Sequence, residues 1–169
     1  MKTNFEIITR EIGHVVEIEE TVSMMKLPKV MGSDFQKILE FLKSNKAESM
    51  DAPYARYLDI NWEAQTTKSM MANMIELFTK KWHFMTGMPT SEKLEDKDMM
   101  KSRFFAERKY AKAIHMGPYQ NVGKTYKNLF NWIKQQGLKA APESIEFYMN
   151  DPGKVKKADL ETVVLIPVE

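Results

Sequence analysis

Apolar and polar positions in the first part of the chain predict an extended segment, a helix and two more strands. Residues Phe5–Met25 are extended in this prediction, and Gly13 breaks them into a bent or bulged pair. Apolar residues recur at helical spacing over Gly32–Asn45, with Ser33 or Asp34 available as the N-cap. Further along we predict strands over Tyr54–Trp62 and Ile75–Met88, separated by a connector, Gln65–Met74, that can contain a short helix.

The same order of elements returns after a strongly charged segment, Thr90–Lys101, which we interpret as a surface linker. A strand is predicted over Arg103–Met116, and a turn at Gly117-Pro118 leads into a second amphipathic helix over Asn121–Gln136. The chain therefore carries the order strand, helix, strand, strand twice. Its last predicted elements are two strands and the turn between them, Ser144–Asn150, Leu160–Val168 and Asp151–Gly153.

A numerical shift relates the two halves. A shift of 91 residues places Tyr57-Leu58-Asp59 over Tyr148-Met149-Asn150, and the closing strands match at a shift of 78, with Pro89 over Pro167. One shift that serves both a helix and the next strand indicates two copies of one β-α-β-β unit. We therefore predict one α+β domain over residues 1–169, with halves at about 1–89 and 102–169 and the linker at about 90–101. In the helices, the shift of 91 places Gly32, Phe35, Ile38, Leu39, Phe41 and Leu42 over Gly123, Tyr126, Leu129, Phe130, Trp132 and Ile133.

Each predicted helix carries an aromatic residue beside its apolar stripe. Trp132 lies roughly 60° outside the stripe of the second helix, and Phe41 occupies the matching position in the first. Two equivalent aromatic residues indicate either a pseudo-symmetric groove between the halves or a pair of side chains that seal the margin between helix and sheet. The stripe of the second helix consists of Val122, Tyr126, Leu129, Phe130 and Ile133.

The composition is that of an ordinary globular protein, with one exception. Apolar residues make up 43% of the chain and charged residues 28%. Twenty-five Lys and Arg against 23 Asp and Glu leave a net charge of +2, too small for a broad DNA-binding surface, and no recognition helix is visible. The exception is the 14 Met residues, which indicate an adaptable apolar interior or binding surface, although Met also fills ordinary cores.

Several classes of site are not expected. Cys is absent, which excludes thiolate nucleophiles and Cys-bound metals, and the three His residues stand at no metal-ligand spacing. The segment Gly117–Thr125 resembles a phosphate-binding P-loop, but five residues separate its glycines instead of four, and one of them is Pro118. We therefore expect no metal, no cofactor and no direct nucleic-acid partner. With no signal peptide or membrane span in the sequence, a cytoplasmic location is the default expectation.

Two predicted strands carry carboxylates among apolar residues. Strand alternation places Glu146 on one face with Tyr148 and Asn150, and it places Glu161 on one face with Val163. A carboxylate on an apolar strand is costly to bury unless a partner compensates its charge. Such an acid is suited to anchor a cationic ligand or to act as a general acid or base, and it is ordinary surface if the strand end is exposed.

The second half of the chain resembles a known family. Its run Ala111–Tyr119, the helix through Trp132, the segment Pro142–Pro152 and the ending Leu165–Val168 are similar to the GyrI-like small-molecule-binding domain, also called the AraC-type effector-binding domain. The resemblance is strongest over Tyr110–Glu169. It implies two SHS2-like β-α-β-β units with antiparallel sheets, packed about a pseudo-two-fold axis, and a central groove that binds bulky aromatic or cationic compounds.

The resemblance also implies an acid and aromatic walls in that groove. Family members often carry Glu or Asp four residues before the final Pro, where this chain has Val163. Glu161, two residues earlier on the same face, is expected to replace that acid in part. The expected ligand-binding residues are Tyr119, Trp132, Glu146 and Tyr148 from the family pattern, Glu161 as the substitute acid, and Tyr57 and Phe41 from the repeat.

Three functions fit these residues. The leading hypothesis is a free-standing module that captures a hydrophobic aromatic compound, cationic or neutral, between the halves. The second is a hydrolase of small electrophilic compounds that uses a Glu/Tyr pair, with Glu146 and Tyr148 or Glu161 as candidates. The third is an inhibitor of a protein partner such as DNA gyrase, as the family name implies. Many family members are fused to a helix-turn-helix domain, and we expect this chain to be free-standing.

Overall fold

Eight strands and three α-helices are formed by the residues that the computed structural model describes, which are 4–67 and 79–169. The fold is therefore of the α+β class. The strands are β1 (Glu6–Arg10), β2 (Gly13–Ser23), β3 (Tyr54–Tyr57), β4 (Lys81–Pro89), β5 (Met100–Phe105), β6 (Arg108–Met116), β7 (Ser144–Tyr148) and β8 (Glu161–Pro167). The helices are α1 (Leu27–Ser44), α2 (Trp62–Thr67) and α3 (Val122–Gln135), with short 3₁₀ turns at Tyr119–Asn121 and Lys157–Asp159.

The strands form one antiparallel sheet in the order β1-β6-β8-β7-β3-β4-β2-β5. β1 and β2 stand six places apart in this order, yet only Glu11 and Ile12 connect them. Six strand spacings of about 4.8 Å would span roughly 29 Å in a flat sheet, whereas the three Cα steps of this link reach about 11 Å. The sheet therefore curls into a half-barrel, and the equally short link between β5 and β6 crosses the same gap.

The curl gives the sheet an inner face and an outer face. Val15 on β2 and Tyr110 on β6 belong to one buried cluster, although their strands are five places apart in the sheet, so this cluster fills the inner face. On the outer face, α1 packs over β2 and β4, and α3 packs over β6 and β8. The central strand pair β3–β7 therefore lies between the two helices on the outer face. The other buried members of the inner cluster are Tyr54, Ile145, Phe147, Val163 and Leu165.

The strand order is symmetrical about the central pair. Outward from β7 and β3, the strand β8 matches β4, β6 matches β2, and β1 matches β5. The register follows the same shifts as the sequence. Tyr54 pairs with Gly87 and Ile145 pairs with Leu165, and these two pairs are related by the shift of 91 on one strand and the shift of 78 on the other. Each edge strand pairs with a strand that is distant in the sequence: β1 pairs with β6, and β5 pairs with β2.

The first helix begins earlier than predicted. α1 starts at Leu27, before the predicted start at Gly32, and Pro28 occupies its first turn, where a missing N–H costs no helical hydrogen bond. The prediction of Ser33 or Asp34 as the N-cap is therefore wrong. Asp34 lies inside the helix and is fully buried, and its carboxylate accepts a hydrogen bond from a threonine hydroxyl on β4.

Two predicted strands are shortened or divided in the structure. The strand predicted over Tyr54–Trp62 ends at Tyr57, because Asp59 has a φ of 56°, which extended backbone does not allow. The chain then enters α2. The strand predicted over Arg103–Met116 is divided into β5 and β6, and β5 begins at Met100, inside the segment predicted as a linker.

Residues 68–78 lie outside the described ranges. They include most of the connector predicted over 65–74 and the beginning of the strand predicted over 75–88, of which β4 forms the later part. None of the helices within the described ranges is long and apolar enough to cross a membrane.

Candidate functional site

A carboxylate and two tyrosines lie together on the outer face of the central strand pair. Alternation along β7 directs Glu146 and Tyr148 to this face, whereas Phe147 between them belongs to the inner cluster. Tyr57 on β3 lies on the same outer face, where its ring packs against Phe84 of β4. The sheet therefore presents these side chains in the space between α1 and α3.

Both carboxylate oxygens of Glu146 accept hydrogen bonds from tyrosines, and only 6% of the residue is exposed. Tyr126 on α3 donates to Oε1 at 2.8 Å, and Tyr148 donates to Oε2 at 3.0 Å. The Tyr126 hydroxyl also lies 2.9 Å from Ser144 Oγ. Since Tyr126 donates its proton to Glu146, Ser144 is the donor in that second contact. Tyr57 and Tyr148 pack against the same apolar cluster, which places the Tyr57 hydroxyl in the electrostatic field of Glu146.

Burial has the largest effect on the pKa values of these groups. It raises the pKa of Glu146 above its ordinary value, and the hydrogen bonds from Tyr126 and Tyr148 oppose the rise. Burial, and then the charge of Glu146, raise the pKa of Tyr57, Tyr126 and Tyr148, so these hydroxyls keep their protons at neutral pH. Within the described ranges, no Lys, Arg or His forms an ion pair with Glu146. Among the described residues, the donors that hold the carboxylate are therefore neutral.

Aromatic and apolar side chains surround the network. The Tyr148 ring makes edge contacts with Tyr119, with centroids 5.4 Å apart, and with Phe35 of α1, with centroids 6.1 Å apart. An apolar wall from α1 and the neighbouring strands lies beside them and contains Leu27, Met31, Ala55 and Phe84, with the partly buried Val22, Met24 and Val30. The residues Phe35, Tyr57, Tyr119, Tyr126, Glu146 and Tyr148 are called the tyrosine–glutamate cluster below.

A buried histidine holds the turn that carries Tyr119. His115 Nε2 lies 3.1 Å from the carbonyl oxygen of Pro118, and Nδ1 lies 2.9 Å from Thr125 Oγ1. Because a carbonyl oxygen only accepts, Nε2 carries a proton and donates it to Pro118, while Nδ1 is hydrogen-bonded to the Thr125 hydroxyl. Gly117 has a φ of 109°, which favours glycine at the tight turn before Pro118. The turn presents the Tyr119 ring to the tyrosine–glutamate cluster.

A protein-family model and several solved structures match the chain. The family model, described as a GyrI-like small molecule binding domain, matches residues 73–169, which is more than half of the chain. The chain belongs to the GyrI-like family. It is therefore a small-molecule-binding domain of the α+β class.

Solved structures extend the likeness of this GyrI-like domain to its whole length. The EcmrR C-terminal domain is 16% identical with a TM-score of 0.71, and the match covers 100% of this chain and 99% of that one. A hydrolase encoded by lin2189 from Listeria innocua is 12% identical with a TM-score of 0.67, covering 98% and 92%. SAV2435 bound to tetraphenylphosphonium is 12% identical with a TM-score of 0.62, covering 100% and 94%. These likenesses concern the fold. No curated protein matches the sequence.

The GyrI-like domain brings four of the predicted site residues together. The Tyr119 ring contacts the Tyr148 ring, Glu146 accepts a hydrogen bond from the Tyr148 hydroxyl, and Tyr57 packs with Tyr148 against one apolar cluster. The two remaining aromatic predictions lie elsewhere. Trp132 packs against Phe5 with centroids 5.7 Å apart, at the margin of the core under α3, and Phe41 is buried in the core under α1.

The two predicted acids lie on opposite faces of the sheet. Glu146 pairs with Val164, whose side chain packs in the outer core, whereas Glu161 alternates with Val163 on the inner face. Val163 itself is buried in the inner cluster opposite Phe147. Since alternation along one strand fixes the face, Glu161 does not contribute to the tyrosine–glutamate cluster.

Two residues of the cluster were missed from the sequence. Tyr126 and Phe35 occupy the apolar stripes of their helices, so helical spacing assigns both to the core. The available signal was the Tyr126 hydroxyl, because a tyrosine buried on an apolar stripe needs a hydrogen-bond partner. The shift of 91 then points to Phe35 as its counterpart.

In the part of the chain that the structure describes, no group of three or more His, Cys, Asp or Glu could hold a metal ion. Thr125, the last residue of the P-loop-like segment, is buried and bonded to His115.

Proposed function

We propose that the domain binds a hydrophobic aromatic cation in a central groove, between α1 and α3 and over the strand pair β3–β7. The proposal rests on one observation, the burial of the Glu146 carboxylate without a cationic partner in the described ranges. Two tyrosine hydroxyls hold this buried carboxylate, and no cationic side chain among the described residues pairs with it. Burying an unpaired charge is unfavourable, and a cation beside Glu146 offsets that cost.

The surroundings of Glu146 favour a large cation over a small one. Aromatic rings attract a cation that lies within about 6 Å of the ring centroid, and the cluster supplies several of them. The apolar wall beside the cluster includes Met24 and Met31. Because Met is flexible and polarisable, this wall adapts to apolar bodies of different shape. The ligand class is therefore a delocalised charge attached to an apolar body.

The proposal takes the chain as one domain of two β-α-β-β units related by a pseudo-two-fold axis. The units extend over about 1–89 and 102–169, and the linker over about 90–101. The symmetrical strand order and the two shifts in register support this arrangement. The axis then passes through the central strand pair, so the groove lies where the two units meet, a common location for ligand sites.

A relative with a known ligand supports the choice of a cation. SAV2435, which shares the fold, has been solved with tetraphenylphosphonium. This cation carries one delocalised charge inside four phenyl rings and has no N–H or O–H to donate. Such chemistry fits a carboxylate whose two oxygens already accept hydrogen bonds from Tyr126 and Tyr148.

Titration with two ions of the same shape and opposite charge tests the proposal. Tetraphenylphosphonium and tetraphenylborate are titrated against the wild type and Glu146→Gln by calorimetry. We expect the wild type to bind the phosphonium and to reject the borate. Glu146→Gln is expected to bind the phosphonium about tenfold more weakly, the equivalent of about 1.4 kcal/mol. Equal affinity of the wild type for the two ions would exclude Glu146 as a charge anchor.

A second candidate function is hydrolysis of a strained electrophile, such as an epoxide. The buried carboxyl with a raised pKa and its bonded hydroxyl favour it, and the lin2189 protein of the same fold is described as a hydrolase. Glu146 would take the proton of an attacking water while Tyr148 donates its own to the departing ring oxygen, and the Glu146–Tyr148 hydrogen bond would return the proton. Mass spectrometry of the hydrated product separates turnover from binding, because a pure binding protein releases its ligand unchanged.

A further inference from the structure

Two arginines face each other on the inner face of the sheet, where the edge strand β1 pairs with β6. Arg10 on β1 is the register partner of Arg108 on β6. Strand alternation places both on the same face as Ile8 and Tyr110, which contribute to the inner cluster. Like charges directly opposite each other in an antiparallel pair are destabilising. The pair is therefore unfavourable unless negative charge lies beside it.

The ion pairs around these two arginines leave an excess of positive charge. Within the described residues, four guanidinium groups at this end of the inner face form ion pairs with only three carboxylates. Glu143 is shared by Arg108 and by Arg56, whose Nη1 lies 3.5 Å from Glu143 Oε2. The excess is therefore one positive charge. The arginines are Arg10, Arg56, Arg103 and Arg108, and the acids are Glu17, Asp51 and Glu143.

Both arginines of the pair retain donors for a further group. A guanidinium carries five N–H groups. Arg108 uses Nη1 for Glu143, Arg10 uses Nη2 for Asp51, and the Nε group of neither side chain donates a hydrogen bond to the described residues. The Arg10 guanidinium is also held over the Phe147 ring, 4.6 Å from its centroid. Since the side chains of Arg108 and Arg10 are 46% and 29% exposed, an anion can reach them from solvent.

A buried tyrosine beside the two arginines has a hydroxyl without a hydrogen-bond partner among the described residues. Tyr110 follows Arg108 by two positions on β6, and only 2% of it is exposed. Burial raises the pKa of Tyr110, and the charges of Arg108 and Arg10 oppose the rise, so the hydroxyl lies near both guanidinium groups. A buried tyrosine hydroxyl usually finds a partner. An oxyanion beside Arg10 and Arg108 supplies the missing acceptor.

We propose that Arg10, Arg108 and Tyr110 form a binding site for an oxyanion, the carboxylate or phosphate group of a small molecule. The anion accepts charge-assisted hydrogen bonds from the guanidinium groups, whose planar fork matches both kinds of oxyanion, and a further bond from the Tyr110 hydroxyl. Its charge offsets the excess positive charge and the repulsion between the two arginines. The site lies on the inner face of the sheet, so it is separate from the tyrosine–glutamate cluster on the outer face.

Titration of the wild type with two oxyanions, followed by nuclear magnetic resonance, tests the site. Sodium phosphate and sodium acetate each replace sodium chloride at constant ionic strength, so that general screening of charge does not change. We expect saturable shifts of the Arg10, Arg108 and Tyr110 signals with at least one oxyanion. A response to phosphate alone or to acetate alone supports the site and identifies the group that it accepts. If neither anion shifts these signals in a saturable way, the proposal is wrong.

Two variants assign the binding to these side chains, and a third is the control. Arg108→Gln removes one guanidinium and is expected to weaken anion binding by at least about tenfold, because its bonds are charge-assisted. Tyr110→Phe removes only the hydroxyl and should weaken binding by about tenfold. Lys109→Gln removes a positive charge from the adjacent position, whose side chain lies on the outer face, and should bind the anion as the wild type does.

The comparison of Arg108→Gln with Lys109→Gln separates a specific site from an effect of net charge. Equal weakening by the two variants would mean that the anion responds to total charge alone, and this result would overturn the proposal. If Arg108→Gln does not fold, as judged by thermal unfolding, Arg108→Lys takes its place. This variant keeps the charge and lacks the planar fork, so it should also bind the anion more weakly than the wild type.

Discussion

Tyr126 on α3 donates a hydrogen bond of 2.8 Å to Glu146 on β7, and this contact joins a helix to the central strand pair. The bond favours the ionised form of Glu146, against the effect of burial. Tyr126 therefore tunes the acid as well as packing under the helix. The contact connects residues that stand 20 positions apart in the sequence.

Replacing Tyr126 by Phe removes this donor and keeps the ring. We expect the pKa of Glu146 to rise further, because one of the two opposing hydrogen bonds is lost. Affinity for tetraphenylphosphonium should fall at neutral pH, because a proton bound to Glu146 competes with the cation, and the loss should not exceed about 1.5–3 kcal/mol, the usual worth of a hydrogen bond to a charged group. Calorimetry measures the loss. Tyr110→Phe, on the inner face, is the matched control and should bind the ion as the wild type does.

Glu146→Gln should stabilise the unliganded domain at neutral and higher pH. A carboxyl whose pKa is raised on folding binds its proton more tightly in the folded state, so stability falls as pH rises from its ordinary value, about 4.5, through the raised value. Glu146→Gln has no carboxyl to titrate at this position, so its folding stability does not fall with pH in this way. The melting temperature of the variant should therefore exceed that of the wild type at pH 7 and above, and the difference should shrink toward pH 4.

Thermal unfolding of both proteins across this pH range checks the sign. Titrations elsewhere in the molecule affect the two proteins alike and cancel in the difference. A Gln variant that melts below the wild type at every pH would mean that the carboxylate stabilises the fold. Glu146 would then be a structural residue, and the reason to expect a cation beside it would be lost.

The sequence predicted the part of the site that strand periodicity controls. Alternation along one strand fixes that Glu146 and Tyr148 share a face, whatever packs on it. Which helix residues reach that face depends on the angle at which α3 crosses the sheet, and spacing along the helix contains no such information. Trp132 and Phe41 were expected in the groove, but Trp132 lies at the margin of the core under α3 and Phe41 is buried in the core under α1.

The pairing of the edge strands could not be predicted from local sequence pattern. The sequences of β1 and β5 do not indicate which strand each one pairs with. Their pairing with strands distant in the sequence depends on the short links to β2 and β6 and on the curl of the whole sheet, which are long-range properties. The start of α1 was missed for a different reason. Pro28 normally signals a break, but in the first turn of a helix it is favourable.

The inner face contains a buried ion network whose loss should be costly. Glu17 is only 1% exposed, and its carboxylate contacts Arg56 at 2.7 Å and 2.9 Å, Arg103 at 3.1 Å and the Tyr54 hydroxyl at 2.9 Å. Glu17→Ala leaves the buried guanidinium of Arg56 without its main partner. We expect the free energy of unfolding to fall by about 3–5 kcal/mol.

Urea denaturation of Glu17→Ala and Glu19→Ala measures this cost against a control on the same strand. The Glu19 side chain is exposed and contacts only His83 among the ion pairs of the described residues, so its removal should cost less than about 1 kcal/mol. Similar losses of unfolding free energy in the two variants would contradict this prediction. They would mean that the burial of Glu17 adds nothing to the effect of losing an ion pair.

His115 should act on ligand binding through Tyr119. It holds the carbonyl of Pro118 and the hydroxyl of Thr125, and so fixes the turn that brings Tyr119 to Tyr148. His115→Ala frees the turn, and the affinity for tetraphenylphosphonium should fall several-fold. Thr125→Val should have a similar but smaller effect, and Thr125→Ser, which keeps the hydroxyl, should bind as the wild type does.

A double-mutant cycle separates this positioning role from a general loss of structure. If His115 acts by holding Tyr119, the replacement His115→Ala has little further effect once Tyr119→Ala has removed the ring. The coupling free energy between the two positions, measured from tetraphenylphosphonium affinities, should then lie in the range of about 0.5–3 kcal/mol that is typical of residues in one network. A fully additive double variant would mean that His115 supports the fold without directing the ring, because independent sites add and linked ones do not.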